Sequence, residues 1–275
     1  SYDSANPDAL RAGLGIANGL DADRLRDQAY ALRLAADGAA EIASPSIHGL
    51  RHGVVTLCLL LEAHAAGAVL APVTISDAPA FEVRGIQIDM AREFFPPMPY
   101  LRKVVDRMID LKLNTLWLYV ENHFHAPGLE DISPRGGLTP ADAEAISAYA
   151  AERGVDVVPG TNLLSHMEGW FRLERYADFC DGPNRSYPVL TRAESLRLTK
   201  QYVDELIRAF PSPNFHAGFD ELLFTGVNPE AAQAIRRMGK AAYFGEFSQK
   251  LIRHIQARGK VVWFWDDMVI GKNVF

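Results

Sequence analysis

The chain has 275 residues, enough to bury one large core or two smaller ones, and 48% hydrophobic with 23% charged residues is typical of a globular protein. Its 28 basic and 34 acidic residues give a formal net charge of -6, which argues against nucleic acid as a partner. The longest apolar run, residues 54–61, is too short to cross a bilayer, so we expect no membrane partner.

The two cysteines, Cys58 and Cys180, cannot form a disulfide framework, and we expect two free thiols in or near the core. The compartment stays open between cytoplasmic and exported with a leader removed.

The first 80 residues predict a small α/β domain. Apolar and polar side chains alternate over residues 30–34, which predicts a strand, and a second strand near residues 40–42 follows a turn at Asp37-Gly38. Residues 46–66 are rich in Leu and Ala and predict a helix, and residues 69–75 predict a further strand.

From residue 81 onward, strands and helices alternate. Strands are predicted at residues 85–90, 114–120, 155–160, 214–220 and 261–267. Pro140 after Thr139 begins one helix, a Thr191-x-x-Glu194 capping box begins another, and a long helical stretch follows Pro229. This alternation predicts βαβ units and hence a parallel sheet.

Two parallel architectures compete, the open doubly wound sheet and the (β/α)8 barrel. No Gly-x-Gly-x-x-Gly follows the first of these strands, which weighs against a dinucleotide fold. Polar residues follow every strand, and in a barrel these ends meet at one mouth: Asp89, Arg92, Glu121, Asn122, Thr161, Asn162, Asp220, Glu221, Asp266 and Asp267. We therefore expect residues 81–275 to form the N-terminal part of a TIM-barrel catalytic domain. Because a barrel needs eight strands, we expect that the sequence is a fragment or that a second chain supplies the rest.

The sharpest chemical feature is the segment HAGFDE at residues 216–221. Asp-Glu alone is common at helix starts, but here the pair ends an apolar strand. Repulsion and partial burial should raise the pKa of one carboxyl, and a protonated carboxyl beside an ionised one suits acid-catalysed cleavage of an acetal.

These residues resemble glycoside hydrolase family 20, the β-N-acetylhexosaminidases. Residues 81–96 match the family's first barrel strand in order, through Arg84, Gly85, Asp89, Arg92, Phe94, Phe95 and Pro96. The segment at 216–221 matches its His-x-Gly-x-Asp-Glu. Residues 121–124 (ENHF), 165–168 (SHME) and 265–268 (WDDM) look most like the hexosaminidase D branch, and the resemblance covers residue 29 to the end.

The resemblance implies a retaining exo-β-N-acetylhexosaminidase that acts on glycans ending in N-acetylglucosamine or N-acetylgalactosamine. The substrate's own 2-acetamido group would be the nucleophile. Glu221 corresponds to the general acid and base, and Asp220 to the residue that holds the acetamide N–H. No cofactor and no metal are implied.

The resemblance also supplies substrate-binding candidates: Arg92, Glu121, Asn122, His166, Trp265 and Asp267. Arg92 would grip sugar hydroxyls, and Trp265 would line the acetamide-methyl pocket. Glu121 and Asp267 would bind hydroxyls or position Glu221, and His166 would orient Asp220 or Glu221. We expect Trp263 and His216 to be buried, His216 with a hydrogen-bonding role.

Three residues depart from the family pattern. Phe219 stands where a small residue is usual and would either narrow the site or fill the layer behind the strand, Asn122 replaces an acid, and Ser165 replaces a glycine. Two rivals remain open: a metal-dependent barrel hydrolase that uses His123 and His125 with His166 and Asp220, and a sugar-binding relative without turnover.

Overall fold

The structure is a computed structural model, and it describes residues 27–92, 94–182, 184–222 and 226–270. The chain divides into two compact units. The first comprises the described residues up to Arg84 with Asp106–Asn114, and the second comprises Gly85–Val105 with the described residues from Thr115. No helix in these described ranges has both the length and the apolar character needed to cross a bilayer.

The first unit contains a three-stranded antiparallel sheet and one long helix. The sheet has the order β2-β1-β3, where β1 is Tyr30–Leu34, β2 is Ala40–Ala43 and β3 is Val73–Asp77. Helix α1 spans Ile47–Ala65, and the Ser46 hydroxyl caps it by accepting from two backbone N–H groups. The elements match the prediction, although β3 begins four residues after the predicted start.

The helix approaches the sheet closely at Gly49. A Cβ atom there would lie 2.1 Å from the carbonyl oxygen of Ala29, so only glycine allows this contact. The same helix carries Cys58, which is exposed, while Cys180 of the second unit is half-buried. Both thiols are free, as expected, but the expected core position is wrong for Cys58 because it lies on the outward face of α1.

The second unit contains a five-stranded parallel sheet. Its strands are β4 (Gly85–Asp89), β5 (Thr115–Tyr119), β6 (Asp156–Gly160), β9 (Asn214–His216) and β10 (Val261–Trp263). A small hairpin of β7 (Cys180–Asp181) and β8 (Tyr187–Pro188) lies between β6 and β9 in sequence. The order of strands in the parallel sheet is β10-β9-β6-β5-β4. Leu116, Leu118 and Val158 in the central strands are fully buried. The predicted parallel α/β sheet is confirmed, and its strands all direct their carboxyl ends to one edge.

Helices connect these strands. They are α2 (Met98–Asp110), α3 (Pro140–Ala151), α4 (Glu168–Phe171), α5 (Ala193–Ala209), α6 (Pro229–Met238), α7 (Lys240–Gln256) and α8 (Asp267–Ile270), with 3-10 turns at Glu130–Ile132 and Glu174–Phe179. Thr139 caps α3, and Pro140 occupies its first turn, as predicted.

Two helix predictions are wrong in detail. Helix α5 begins after Arg192 without a side-chain cap, because the Thr191 hydroxyl instead lies 3.2 Å from a Glu230 carboxylate oxygen. The long stretch after Pro229 is two helices, which meet at Gly239 with φ of +80°. That left-handed conformation interrupts a helix and favours glycine.

Strands β9 and β10 are also shorter than predicted. Each was expected to continue for four more residues, to 220 and 267, but both end before these residues. The segments that follow are turns, and they carry most of the polar residues considered below.

Candidate active site

The turn after β9 carries the Asp220-Glu221 pair and is tied to the neighbouring strand. The Ala217 N–H donates to the Trp263 carbonyl at 2.8 Å, and the Trp265 N–H donates to the Gly218 carbonyl at 2.9 Å. Gly218 has φ of +71°, and a Cβ atom there would lie 2.7 Å from the Cα of Asn162. This turn therefore requires glycine both for its conformation and for its approach to the loop after β6.

Phe219, the bulky departure from the family pattern, is buried beside the turn after β10. Its ring is buried and lies 6.0 Å from the ring of Phe264. Burial with an aromatic neighbour favours a packing role, the second of the two expected outcomes. Its φ of +70° is unusual for an aromatic residue.

Glu221 is the accessible member of the pair, with a side chain 68% exposed. Its Oε2 lies 2.9 Å from Nε2 of His166, and its backbone N–H donates to Oδ2 of Asp267 at 3.2 Å. The structure thus brings His166 and Asp267 to Glu221 from two other strand ends. Of the roles expected for His166 and Asp267, the structure favours the one in which each positions Glu221.

Asp220 is half-buried, and burial raises the pKa of its carboxyl. The negative charges of Asp267 and Glu221 raise this pKa further, while His166 lowers it. Burial and repulsion within the pair were both expected to raise the pKa of one carboxyl. For Asp220 burial makes the largest contribution, and the effect of the Glu221 charge on this pKa is smaller than that of the Asp267 charge.

Arg92 and Glu121 form an ion pair across the ends of β4 and β5. Nη1 of Arg92 donates to Oε1 of Glu121 at 2.9 Å, and the Tyr119 hydroxyl donates to the same oxygen at 2.9 Å. Burial raises the pKa of the Glu121 carboxyl, although both of these donors oppose the shift. The arginine side chain is 53% exposed, so part of its guanidinium stays accessible.

The backbone of Glu121 is itself held in place. Its φ is +43°, and its carbonyl accepts hydrogen bonds from the hydroxyls of Tyr202 and Thr161. Tyr202 is fully buried in α5, so a helix of the outer layer fixes the position of this acid.

Three aromatic rings, from β5, from β9 and from the turn after β10, lie together. The ring of Trp117 stacks on His216 at 3.9 Å and lies 5.2 Å from Trp265. Trp265 is 41% exposed and could line a pocket. Trp263 was expected to be buried in the core, but it is only half-buried. His216 is buried and its Nδ1 accepts from the Gly218 N–H at 3.2 Å, as expected. Sequence reasoning missed Trp117, although period-two alternation places it on the same strand face as Tyr119.

Asn122 has a different place from the one expected for a substrate-binding residue. Its buried amide donates to the Ile132 carbonyl at 2.7 Å, and a Cβ atom on Gly169 would lie 2.2 Å from it. Its side chain therefore joins two loops behind the site.

The His123-x-His125 pair of the rival metal site does not come together with His166 and the acids. Within the described ranges, His166, Asp220 and Glu221 form the group with donor atoms within 4.8 Å of one another, and neither His123 nor His125 belongs to it. The ring of His123 is instead buried 5.0 Å from that of Phe95. The spacing His-x-His was a misleading pattern here, because the pair follows a strand whose end is occupied by Glu121.

Comparison with known proteins agrees with this geometry. The family model "Glycosyl hydrolase family 20, catalytic domain" matches residues 81–275. A chitooligosaccharidolytic beta-N-acetylglucosaminidase of Ostrinia furnacalis is 27% identical over 225 residues, which cover 71% of this chain and 37% of that protein. Beta-hexosaminidase subunit beta of Felis catus is 26% identical over 272 residues, covering 88% and 50%. The chain therefore spans half or less of the length of these curated relatives.

Solved structures give the same result. The crystal structure of a beta-N-acetylhexosaminidase superposes with a TM-score of 0.73 at 25% identity, covering 88% of this chain and 58% of that chain. Flavobacterium johnsoniae chitobiase superposes with a TM-score of 0.74 at 22% identity, covering 90% and 41%. The second unit thus has the fold of these TIM-barrel enzymes, of which it forms five βα units. The matched family model, which covers more than half of the sequence, shows that this chain belongs to glycosyl hydrolase family 20.

Proposed function

We propose that this chain carries the catalytic pair of a retaining exo-β-N-acetylhexosaminidase, which removes terminal N-acetylglucosamine or N-acetylgalactosamine. One observation carries the proposal: Asp220, Glu221 and His166 place their functional atoms within 4.8 Å of one another at the carboxyl edge of a parallel sheet. Relatives named as N-acetylglucosaminidase and hexosaminidase support the substrate class.

Glu221 is assigned the proton transfers. Its exposed carboxyl donates a proton to the glycosidic oxygen as the bond to the leaving group breaks, and it then accepts a proton from the attacking water. His166, at 2.9 Å, fixes the direction of the carboxyl, and Asp267 holds its backbone.

Asp220 is assigned to the acetamido group. The carbonyl oxygen of that group attacks the anomeric carbon, and positive charge grows on the amide as the ring closes. A carboxylate that accepts the amide N–H stabilises this charge, and the tethered nucleophile needs no second encounter.

The remaining residues are assigned to sugar recognition. The accessible part of the Arg92 guanidinium suits two neighbouring hydroxyls, with Glu121 holding it in place. Trp265 offers an exposed ring to the acetamide methyl group. We assign Asn122 to the loop structure behind Glu121 and not to direct contact with the sugar.

The test is hydrolysis of aryl β-N-acetylglucosaminide and aryl β-N-acetylgalactosaminide by the purified protein, with the matching aryl β-glucoside as control. We expect turnover of the two acetamido substrates alone, and a first product that retains the β configuration when followed by NMR. Binding of N-acetylglucosamine without turnover would favour the sugar-binding alternative. Inversion, or equal activity toward the glucoside, would contradict the substrate-assisted mechanism.

A further inference from the structure

The loop after β6 contains a hydrogen-bond network that converges on Asp220. Nδ2 of Asn162 donates to Oδ1 of Asp220 at 2.8 Å and to the hydroxyl of Ser165 at 2.7 Å. The Ser165 hydroxyl in turn donates to the backbone carbonyl of Asp220 at 2.8 Å. One network therefore holds both the side chain and the main chain of this residue.

The orientation of the Asn162 amide is fixed by its own partners. Its Oδ1 accepts from the N–H groups of Leu164 and Ser165, both at 3.0 Å, so both donors and both acceptor sites of the amide are used. A flipped amide would place NH2 against two N–H donors and oxygen against a carboxylate. Asn162 is 3% and Ser165 1% exposed, so water cannot replace these bonds readily.

We propose that Asn162 and Ser165 are positioning residues for Asp220, which fix its carboxylate toward the acetamido group and keep it ionised during catalysis. The inference rests on the proposed function and deepens it, because Asn162 lies outside the motifs that mark the family in this sequence and Ser165 stands where the family motif has glycine. Asn162 uses only one of about four acceptor sites of the carboxylate, which leaves capacity for the substrate N–H.

Asp220 needs this support because its surroundings oppose ionisation. Burial raises the pKa of Asp220, and the charges of Asp267 and Glu221 act in the same direction. His166 faces it as the opposing basic group, and Tyr119 lies close enough for the Asp220 charge to raise the pKa of that phenol. A neutral donor such as the Asn162 amide favours the ionised carboxyl without adding a charge.

The experiment compares Asn162→Ala and Asn162→Asp with a matched control. Asn214 donates in the same way to an Asp156 carboxylate at 3.1 Å, but it begins strand β9 at the opposite end from Asp220. Asn214→Asp therefore introduces the same acid pair away from the site.

We expect Asn162→Ala to lower kcat toward an aryl β-N-acetylglucosaminide about 10- to 100-fold, with KM changed less than about threefold, because a hydrogen bond to a charged group is lost. The acidic limb of the pH profile of kcat/KM should move to higher pH, and further still in Asn162→Asp, where two carboxylates would be neighbours. Asn214→Asp should lower thermal stability and leave this limb in place. Where Asn162→Ala fails to accumulate, Asn162→Asp, which keeps the side-chain shape, carries the test.

A carbon-13 NMR titration of aspartate carboxyls, assigned with Asp220→Asn, decides the inference without turnover. A higher pKa of Asp220 in Asn162→Ala supports it, and an unchanged pKa overturns it. Wild-type protein that hydrolyses no N-acetylhexosaminide contradicts the proposed function, whereas active protein whose acidic limb is the same in all three variants contradicts only the positioning role.

Discussion

Nε2 of His166 lies 2.9 Å from Oε2 of Glu221, and both residues have a left-handed backbone, with φ of +54° and +53°. Such conformations cost of order 1–3 kcal/mol each for residues other than glycine, and they persist where the surrounding structure imposes them. Two separate turns at the sheet edge, after β6 and after β9, each hold one of these residues in the left-handed conformation. Together they bring an imidazole into contact with an accessible carboxyl. That arrangement is suited to holding a proton donor in one direction.

Replacement of Glu221 by Gln tests its role as general acid. We expect kcat/KM to fall about 10²- to 10⁴-fold toward substrates with poor leaving groups, because these need a proton on the departing oxygen. Nitrophenyl glycosides need little protonation and should lose much less activity in their first step. The measurement is a series of aryl N-acetylglucosaminides that differ in leaving-group pKa, and equal losses across the series would remove Glu221 from this role.

Replacement of Asp220 by Asn tests the acetamido role. The amide keeps the size of the side chain but carries no negative charge, so stabilisation of the developing positive charge is lost. We expect a fall in kcat of about 10²-fold or more and weaker binding of a thiazoline that mimics the cyclised intermediate. The inhibition constant of the thiazoline checks this directly. A variant that binds the thiazoline as well as the parent would show that Asp220 does not contact the cyclised group.

Replacement of Arg92 by Lys tests sugar recognition. Lysine keeps the charge beside Glu121 but lacks the planar fork that holds two hydroxyls, so we expect KM to rise about tenfold with a smaller change in kcat. Arg107, which pairs with Asp110 at 3.0 Å in α2, is the matched control, and Arg107→Lys should leave both constants unchanged. A fall in kcat alone would indicate that Arg92 acts in the chemical step and not in binding.

The strands of the parallel sheet and the edge that carries the candidate site could be predicted because they depend on local patterns. Apolar runs bounded by turn residues gave each strand, and polar residues such as Glu121 and Glu221 follow those runs directly. Parallel strands then require these residues to share one edge, whatever the details of the loops.

The details of the turns could not be predicted, because they depend on contacts between distant segments. Glu121, His166, Phe219 and Glu221 all adopt positive φ, and nothing in the residue types indicates this. The hydrogen bond that Asn162 donates to Asp220 joins residues 58 positions apart, so it forms only when two strand ends meet. Thr191 had the right spacing for a cap, but Glu230 of another helix lies within hydrogen-bond distance of its hydroxyl instead.

The buried His216 should make the stability of the protein depend on pH. Burial lowers the pKa of His216 from 6.5 to about 4, so the unfolded chain binds a proton between these values and the folded chain does not. Its contribution to the free energy of unfolding is therefore complete above pH 6.5 and is lost as the pH falls toward 4. The loss amounts to about 3 kcal/mol for this depression of the pKa.

His216→Gln keeps an acceptor for the Gly218 N–H but cannot be protonated, so its stability should fall less over this range. Urea unfolding of both proteins at pH 7.5 and at pH 4.5 measures the difference, since the cost of the substitution itself is present at both values. His48, which is exposed in α1, provides the control, and His48→Gln should follow the parent. Parallel loss of stability in His216→Gln and the parent would mean that the imidazole is already protonated in the fold, stacked as a cation on Trp117.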